Sequence, residues 1–167
     1  MITYRDLQEG VYDPNIFKAF FLAGGPGSGK SYVVRRTTGG LGMRIVNSDD
    51  TFEKLIKDAN LSLKMPEHEF SAREPLRQRA KDITRRRQKN YIAGRIGLII
   101  DGTGKDFEKI TRQARELETL GYDTHMIFVN TSLDVALQRN EERPRKLPEN
   151  IVVSSWNNVQ KLSLIHI

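Results

Sequence analysis

The chain has 167 residues, of which 27 are basic and 21 acidic, for a formal net charge of +6; that length supports one domain with a sizeable core and little more. Cysteine is absent, which excludes disulfide frameworks, thiolate zinc sites and cysteine nucleophiles, and His68, His125 and His166 stand too far apart to form a ligand cluster. Charged residues make up 29% of the chain, no apolar run approaches the roughly 18–20 residues of a membrane span, and Met1 to Asp6 lacks the basic start and apolar stretch of a signal peptide; the expectation is a cytoplasmic protein with no membrane partner.

Residues 1–16 read as an N-terminal extension with turn signals at Gly10 and Asp13-Pro14. Phe17 to Leu22 is a buried strand that enters a glycine loop at Ala23-Gly24-Gly25. A short helix over 30–37 follows, closed by Gly39-Gly40. Met43 to Asn47 reads as a second strand, and Ser48 or Asp49 as the cap of a helix through Leu55 to Asp58. Residues 71–93 carry Leu76, Ala80, Ile83 and Tyr91 at helical spacing, with Arg87 interrupting the stripe and Gly94 ending it. Leu98 to Ile100 is a third strand, ending at Asp101-Gly-Thr103-Gly104. Phe107, Ile110, Ala114, Leu117 and Leu120 mark an amphipathic helix closed by Gly121. Met126 to Val129 is a fourth strand. Ser132 caps a helix to about Glu142, a basic loop lies between Pro144 and Pro148, and a last helix runs from about Pro148 to Lys161. Strands that are continuously apolar and alternate with helices predict an α/β fold: a three-layer parallel sheet covered on both faces. Ligands of such folds bind at the carboxyl ends of the strands.

The polar signatures all fall at those ends. Gly24-Gly-Pro-Gly-Ser-Gly29-Lys30-Ser31 matches G-x-x-x-x-G-K-[ST] in full. Successive backbone N–H groups of such a loop surround a phosphate, and the following helix aims its positive end at the same anion. Gly25, Gly27, Ser28 and Gly29 would form the cradle, Lys30 would reach the β- and γ-phosphates of ATP, and Ser31 would hold Mg²⁺. At the second strand's end, Asn47-Ser-Asp49-Asp50 offers a carboxylate, Asp49 ahead of Asp50, that can take the proton of an attacking hydroxyl. At the third strand's end, Asp101 is a candidate metal ligand, directly or through water, and Thr103 a candidate acceptor contact. No guanine-reading N-K-x-D or T-K-x-D accompanies Asp101-Gly-Thr-Gly. Arg139 and Arg143 lie at i, i+4, so one helical face presents two guanidiniums shaped to stabilise a transferring phosphoryl group. The excess charge is local: Arg77, Arg79, Lys81, Arg85, Arg86, Arg87, Lys89 and Arg95 face a single acid, Asp82. That stretch is a solvated helix face or a contact for an anionic acceptor, with Arg79 and Arg87 as its first candidates.

With these residues in hand, the chain resembles P-loop kinases of the polynucleotide kinase and zeta-toxin group, ATP-binding domains of AAA type, with the kinase domain of bacteriophage polynucleotide kinases as the nearest pattern. The resemblance spans about residues 17–160 and rests on Gly24 to Ser31, on Asn47-Ser-Asp49-Asp50, and on Arg139-Asn-Glu-Glu-Arg143 followed by Leu147-Pro148. It implies Asp49 as general base, Arg143 as the lid arginine at the transferring phosphate, Arg139 as its neighbour, and a lid over about 139–148. Asp101-Gly-Thr103 is similar to the zeta-toxin strand end beside the acceptor. Two departures stand out. The polynucleotide kinase pattern carries an arginine shortly after D-D that grips a nucleic-acid phosphate, whereas Thr51-Phe52-Glu53 follows here. The third strand ends in Asp101-Gly rather than Ser-Asp.

The reading is therefore an ATP- and Mg²⁺-dependent kinase that phosphorylates a hydroxyl-bearing acceptor, anionic or nucleic acid among the candidates, with Lys30, Asp49, Arg139 and Arg143 as catalytic residues and Asp50, Arg79 and Thr103 toward the acceptor. A nucleoside or nucleotide kinase of adenylate-kinase type, whose phosphate acceptor needs no base, is one alternative. A nucleic-acid-stimulated NTPase is another. Kinases of this group continue into a fifth parallel strand and a further helix, so the kinase domain, 17–161, is expected to lack its last strand. The closing Leu162-Ser-Leu-Ile-His-Ile167 is encoded by CTGTCTCTTATACACATC, a transposase adapter end used in sequencing libraries, and reads as a non-native tail.

Overall fold

The computed structural model describes residues 16–37, 42–102, 106–143 and 146–165. Four strands, β1 (Lys18–Ala23), β2 (Arg44–Val46), β3 (Leu98–Asp101) and β4 (Asp123–Phe128), form one sheet in the order β2-β3-β1-β4. Every pairing is parallel, with Phe21 opposite both Ile100 and Met126, and Val46 opposite Ile100. Helices α1 (Lys30–Thr37), α2 (Asp49–Asp58), α3 (Phe70–Ala93), α4 (Phe107–Thr119), α5 (Leu133–Glu141) and α6 (Glu149–Ile165) connect and cover it.

Both faces of β1 are occupied, which is why its sequence shows no polar alternation. Ala19 and Phe21 pack with Val46, Leu98, Leu117 and Tyr122 on one face, under α3 and α4. Leu22 turns to the other face and meets Ile99 and Val34 of α1. A third cluster, Phe52, Ile56 and Ala80, joins α2 to α3 beside the sheet.

The element order is the expected one, and the boundaries differ for physical reasons. Phe17 has φ of 50°, so β1 starts one residue later than its apolar run. Strand β4 begins at Asp123, three residues before Met126, because backbone pairing does not require apolar side chains: Asp123 and His125 are exposed and polar yet pair in register with Lys18 and Phe20 of β1. Helix α2 starts at Asp49, and Ser48 at its N-cap makes no side-chain capping bond; Asn47 Oδ1 accepts from the Asp49 N–H at 2.7 Å. Ser132 does cap α5, its hydroxyl accepting from the Val135 N–H. Gly121, with φ of 90°, sits one residue beyond the Leu120 that closes α4. On α3 the apolar stripe includes Arg73, which is buried and donates to the Pro66 carbonyl at 2.6 Å. Helix α6 follows Pro148, whose carbonyl accepts from Ile151 and Val152, and continues to Ile165, past the expected end at Lys161.

Candidate active site

The ends of β1, β2 and β3 open on one cleft of about 380 Å³, lined by the glycine loop Gly25 to Ser31, by Asn47 to Asp50 with Glu53, by Asp101 and Gly102, and by Arg143 and Leu147. The sheet order makes this convergence. β3 lies directly beside β1, so Asp101 stands next to the loop, and β2 lies beyond β3, so Asp49 faces the loop across Asp101.

The loop is shaped by close packing on α5. Gly27 has φ of 79°, and a Cβ there would stand 2.5 Å from the Ala136 carbonyl oxygen. Gly29, with φ of 96°, lies under Arg139. Only glycine takes this backbone path without strain. Ser28 Oγ is buried with no hydrogen-bond partner in the protein. An unpaired buried hydroxyl beside a glycine cradle fits a phosphate, which would bring the missing acceptor. Lys30 Nζ lies over the loop, donating to the carbonyls of Gly24 at 2.6 Å and Gly25 at 3.2 Å.

The carboxylates are organised by Asn47. Its Nδ2 donates to Asp101 Oδ2 at 2.9 Å, while its Oδ1 takes the Asp49 N–H. One side chain thus ties the end of β3 to the first turn of α2. Thr84 Oγ1 on α3 in turn donates to Ala80 O at 2.9 Å and reaches Asn47 O at 3.5 Å. Burial pushes the Asp101 carboxyl above its usual range against the pull of Lys30, with Asp49 and Asp50 adding to the rise and the Asn47 bond opposing it. Burial likewise pushes the Lys30 ammonium below its usual range; Asp101 opposes this, Arg143 reinforces it and Asp49 opposes it. A cation or proton entering between these groups would relieve the penalty on Asp101. Among the described residues no group of three His, Asp or Glu could hold a metal ion. Asp101 and Ser31 both line the cleft beside the glycine loop, and a carboxylate and a hydroxyl are oxygen donors of the kind Mg²⁺ takes, its shell being completed from water and phosphate.

Every sequence candidate among the described residues has a location. Gly25, Gly27, Ser28, Gly29, Lys30, Ser31, Asp49, Asp50, Asp101 and Arg143 all line the cleft. Arg139 does not line it; its Nη1 donates to the Gly27 carbonyl at 3.1 Å and braces the loop from α5. Arg79 lies on the exposed surface of α3, away from the cleft lining. Thr103, with Gly104, Pro144 and Arg145, lies outside the described residues. Arg87 Nη1 approaches Thr51 Oγ1 on α2 at 3.4 Å, so the residue that breaks the α3 stripe reaches the first turn of the helix carrying Asp49. Asn47, Glu53 and Leu147 also line the cleft, beyond the candidates that the motifs single out. Asn47 stands in the Asn-Ser-Asp-Asp pattern, but its two bonds need the strands assembled. Glu53 is legible as i+4 from Asp49 on one helix face. Leu147 arrives through the loop after Arg143.

A parallel sheet whose first strand enters a phosphate-binding loop beside an acid-tipped neighbour is the P-loop kinase fold. A family model described as Zeta toxin matches residues 4–162, and the chain belongs to the zeta toxin family. Among solved structures, a chain of the Pnkp1/Rnl/Hen1 RNA repair complex matches with a TM-score of 0.67 at 16% identity, over 97% of this chain and 48% of that one. A chain from the AvrRxo1-ORF1:AvrRxo1-ORF2 structure with sulphate ions matches at TM-score 0.69 and 16% identity, over 89% of this chain and 50% of that one. The PezAT chromosomal toxin–antitoxin system of Streptococcus pneumoniae matches at TM-score 0.59 and 16% identity, over 90% of this chain and 65% of that one. The chain thus spans about half to two thirds of the length of these structures, and at such identities the likeness is one of fold. No curated protein matches it. No described helix is long and apolar enough to cross a membrane.

Proposed function

We propose that this chain is an ATP- and Mg²⁺-dependent kinase that transfers the γ-phosphoryl group to a hydroxyl-bearing acceptor, in the manner of zeta-toxin-like and polynucleotide-kinase-like enzymes. The observation that carries the reading is the opening of Lys30, Asp49, Asp101 and Arg143 onto one cleft beside the glycine loop. Bound ATP with its Mg²⁺ supplies an electrophilic γ-phosphoryl group. Asp49, in the first turn of α2, takes the proton of the acceptor hydroxyl as its oxygen bonds to phosphorus and the bond to the β-phosphate oxygen breaks. Lys30 and the loop N–H groups hold the β- and γ-phosphates, Ser31 and Asp101 hold the metal, and Arg143 meets the charge that spreads over the γ-oxygens. Arg139 contributes through the loop that it braces. Asp50, which lines the cleft, and Thr103 are assigned to the acceptor side; Arg79, on the outer surface of α3, is not.

The test is γ-labelled ATP with a panel of acceptors: nucleic-acid 5′ ends, nucleotide sugars, nucleosides and small metabolites. Label is expected on one hydroxyl class. Asp49→Asn is expected to lower that transfer by roughly 10²–10⁴-fold, the usual worth of a positioned base. Transfer by Asp49→Asn at the wild-type rate across the panel would overturn the assignment, and retained transfer to a phosphate acceptor would point to the adenylate-kinase type. Hydrolysis stimulated by nucleic acid without a labelled product would mark an NTPase.

A further inference from the structure

We propose that Asn140 is a positioning residue: by clasping the backbone of Leu147 it holds Arg143 and Leu147 on the wall of the cleft. The inference rests on the kinase reading only for what Arg143 does there. Asn140 lies in the last turn of α5 and is 2% exposed. Its carboxamide makes two bonds to one residue. Nδ2 donates to Leu147 O at 2.8 Å, and Oδ1 accepts from Leu147 N at 3.0 Å. The Arg143 N–H also donates to Asn140 O at 3.3 Å. The chain therefore leaves the helix after Glu141 and is tied back to Asn140 at Leu147, with Arg143 between the two anchors.

The chemistry admits few substitutes. Leu147 presents a donor and an acceptor that are partly buried and need partners. Asparagine matches both in one plane, an ionised aspartate lacks the donor, and an aliphatic side chain offers neither. Tying the backbone on both sides of Arg143 also reduces the freedom that a long guanidinium side chain loses on meeting a phosphate. The same helical turn reaches the other way through Arg139, whose Nη1 holds the Gly27 carbonyl. One turn of α5 thus sets Arg143 and the phosphate loop relative to each other.

Calorimetric titration with MgATP would be run on wild type, Asn140→Ala, Arg143→Ala and the double variant, with amide exchange read on the segment containing Leu147. Loss of Asn140 is expected to weaken ATP binding roughly tenfold, about the worth of one hydrogen bond to a charged group, and to speed exchange at Leu147 while the Gly24–Ser31 segment is unchanged. The double variant should bind no more weakly than Arg143→Ala alone, because Asn140 acts through Arg143. Losses that multiply, or unchanged affinity with only a lower melting temperature, would reduce Asn140 to a stabilising role and overturn the proposal. Should Asn140→Ala not fold, Asn140→Asp keeps the volume and the acceptor for the Leu147 N–H, and the same cycle is read with it. The kinase reading fails separately, by the absence of a labelled acceptor; the ATP affinities decide the clasp in either case.

Discussion

Gly27 joins two demands in one residue. Its φ of 79° lies in the left-handed region, and its Cα faces the Ala136 carbonyl with no room for a methyl group. Gly27→Ala is therefore expected to lose about 1–3 kcal/mol by chemical denaturation, the cost of overpacking a close contact, and to lose ATP binding with it. Asp101 makes the opposite trade. Burial raises its pKa from 3.8 even with Lys30 beside it, so the fold favours the protonated form. The stability that protonation gives is complete below the unfolded value and is lost as pH rises through the raised folded value. Asp101→Asn stays neutral and still accepts from Asn47 Nδ2. In metal-free buffer it is expected to melt above wild type at pH 7, with the gap closing as pH falls through Asp101's raised pKa towards 3.8. Phosphoryl transfer should be lost in the same variant. Equal melting temperatures at neutral pH would show that the carboxylate is better solvated than its surroundings indicate.

At the scale of elements, α2 and α3 form a unit that carries Asp49. Phe52 and Ile56 of α2 pack on Ala80 of α3, and the Arg77 guanidinium lies 4.5 Å from the Phe52 ring centroid. Ile56 is fully buried there. Ile56→Ala is expected to cost about 2–5 kcal/mol in urea unfolding, the range for an aliphatic side chain truncated in a packed core. The helical spacing of α4 and the cap at Ser132 were legible because each is a local pattern. The Asn47 cap of α2 was not, since an asparagine two residues before a helix reads as strand end until its Oδ1 is seen to take the Asp49 N–H. The start of β4 was hidden for a related reason. Asp123 and His125 lie on one sheet face and are exposed there, so they carry no apolar strand signal of their own and are held by pairing to β1.

At the scale of the whole molecule, the strand order β2-β3-β1-β4 decides which chain ends meet. A ligand held by three strand ends and by the loop after α5 should stabilise the folded chain as one unit. At ATP near 100 times its dissociation constant the gain is expected to be about 2.7 kcal/mol, read as a rise in melting temperature. Lys30→Met should abolish that rise while leaving the melting temperature without ATP close to wild type or above it, because burial disfavours the Lys30 ammonium in the folded state.

The sequence by itself determined the class of fold, the phosphate loop and most of the cleft. Glycine spacing, apolar runs and acid-tipped strand ends are local consequences of backbone geometry and burial, and they single out Lys30, Asp49 and Asp101, while Arg143 follows from its i, i+4 spacing with Arg139. Only the tertiary structure decided where those residues stand and what they bond. It set Arg139 against the loop carbonyl of Gly27 rather than in the cleft, put Arg79 on the outer surface of α3, gave Asn47 the link between Asp101 and Asp49, and closed Asn140 onto Leu147. The physical reason is that a side chain's residue type announces what it can bond, while its partner depends on which strands and helices the sheet order brings within hydrogen-bonding distance.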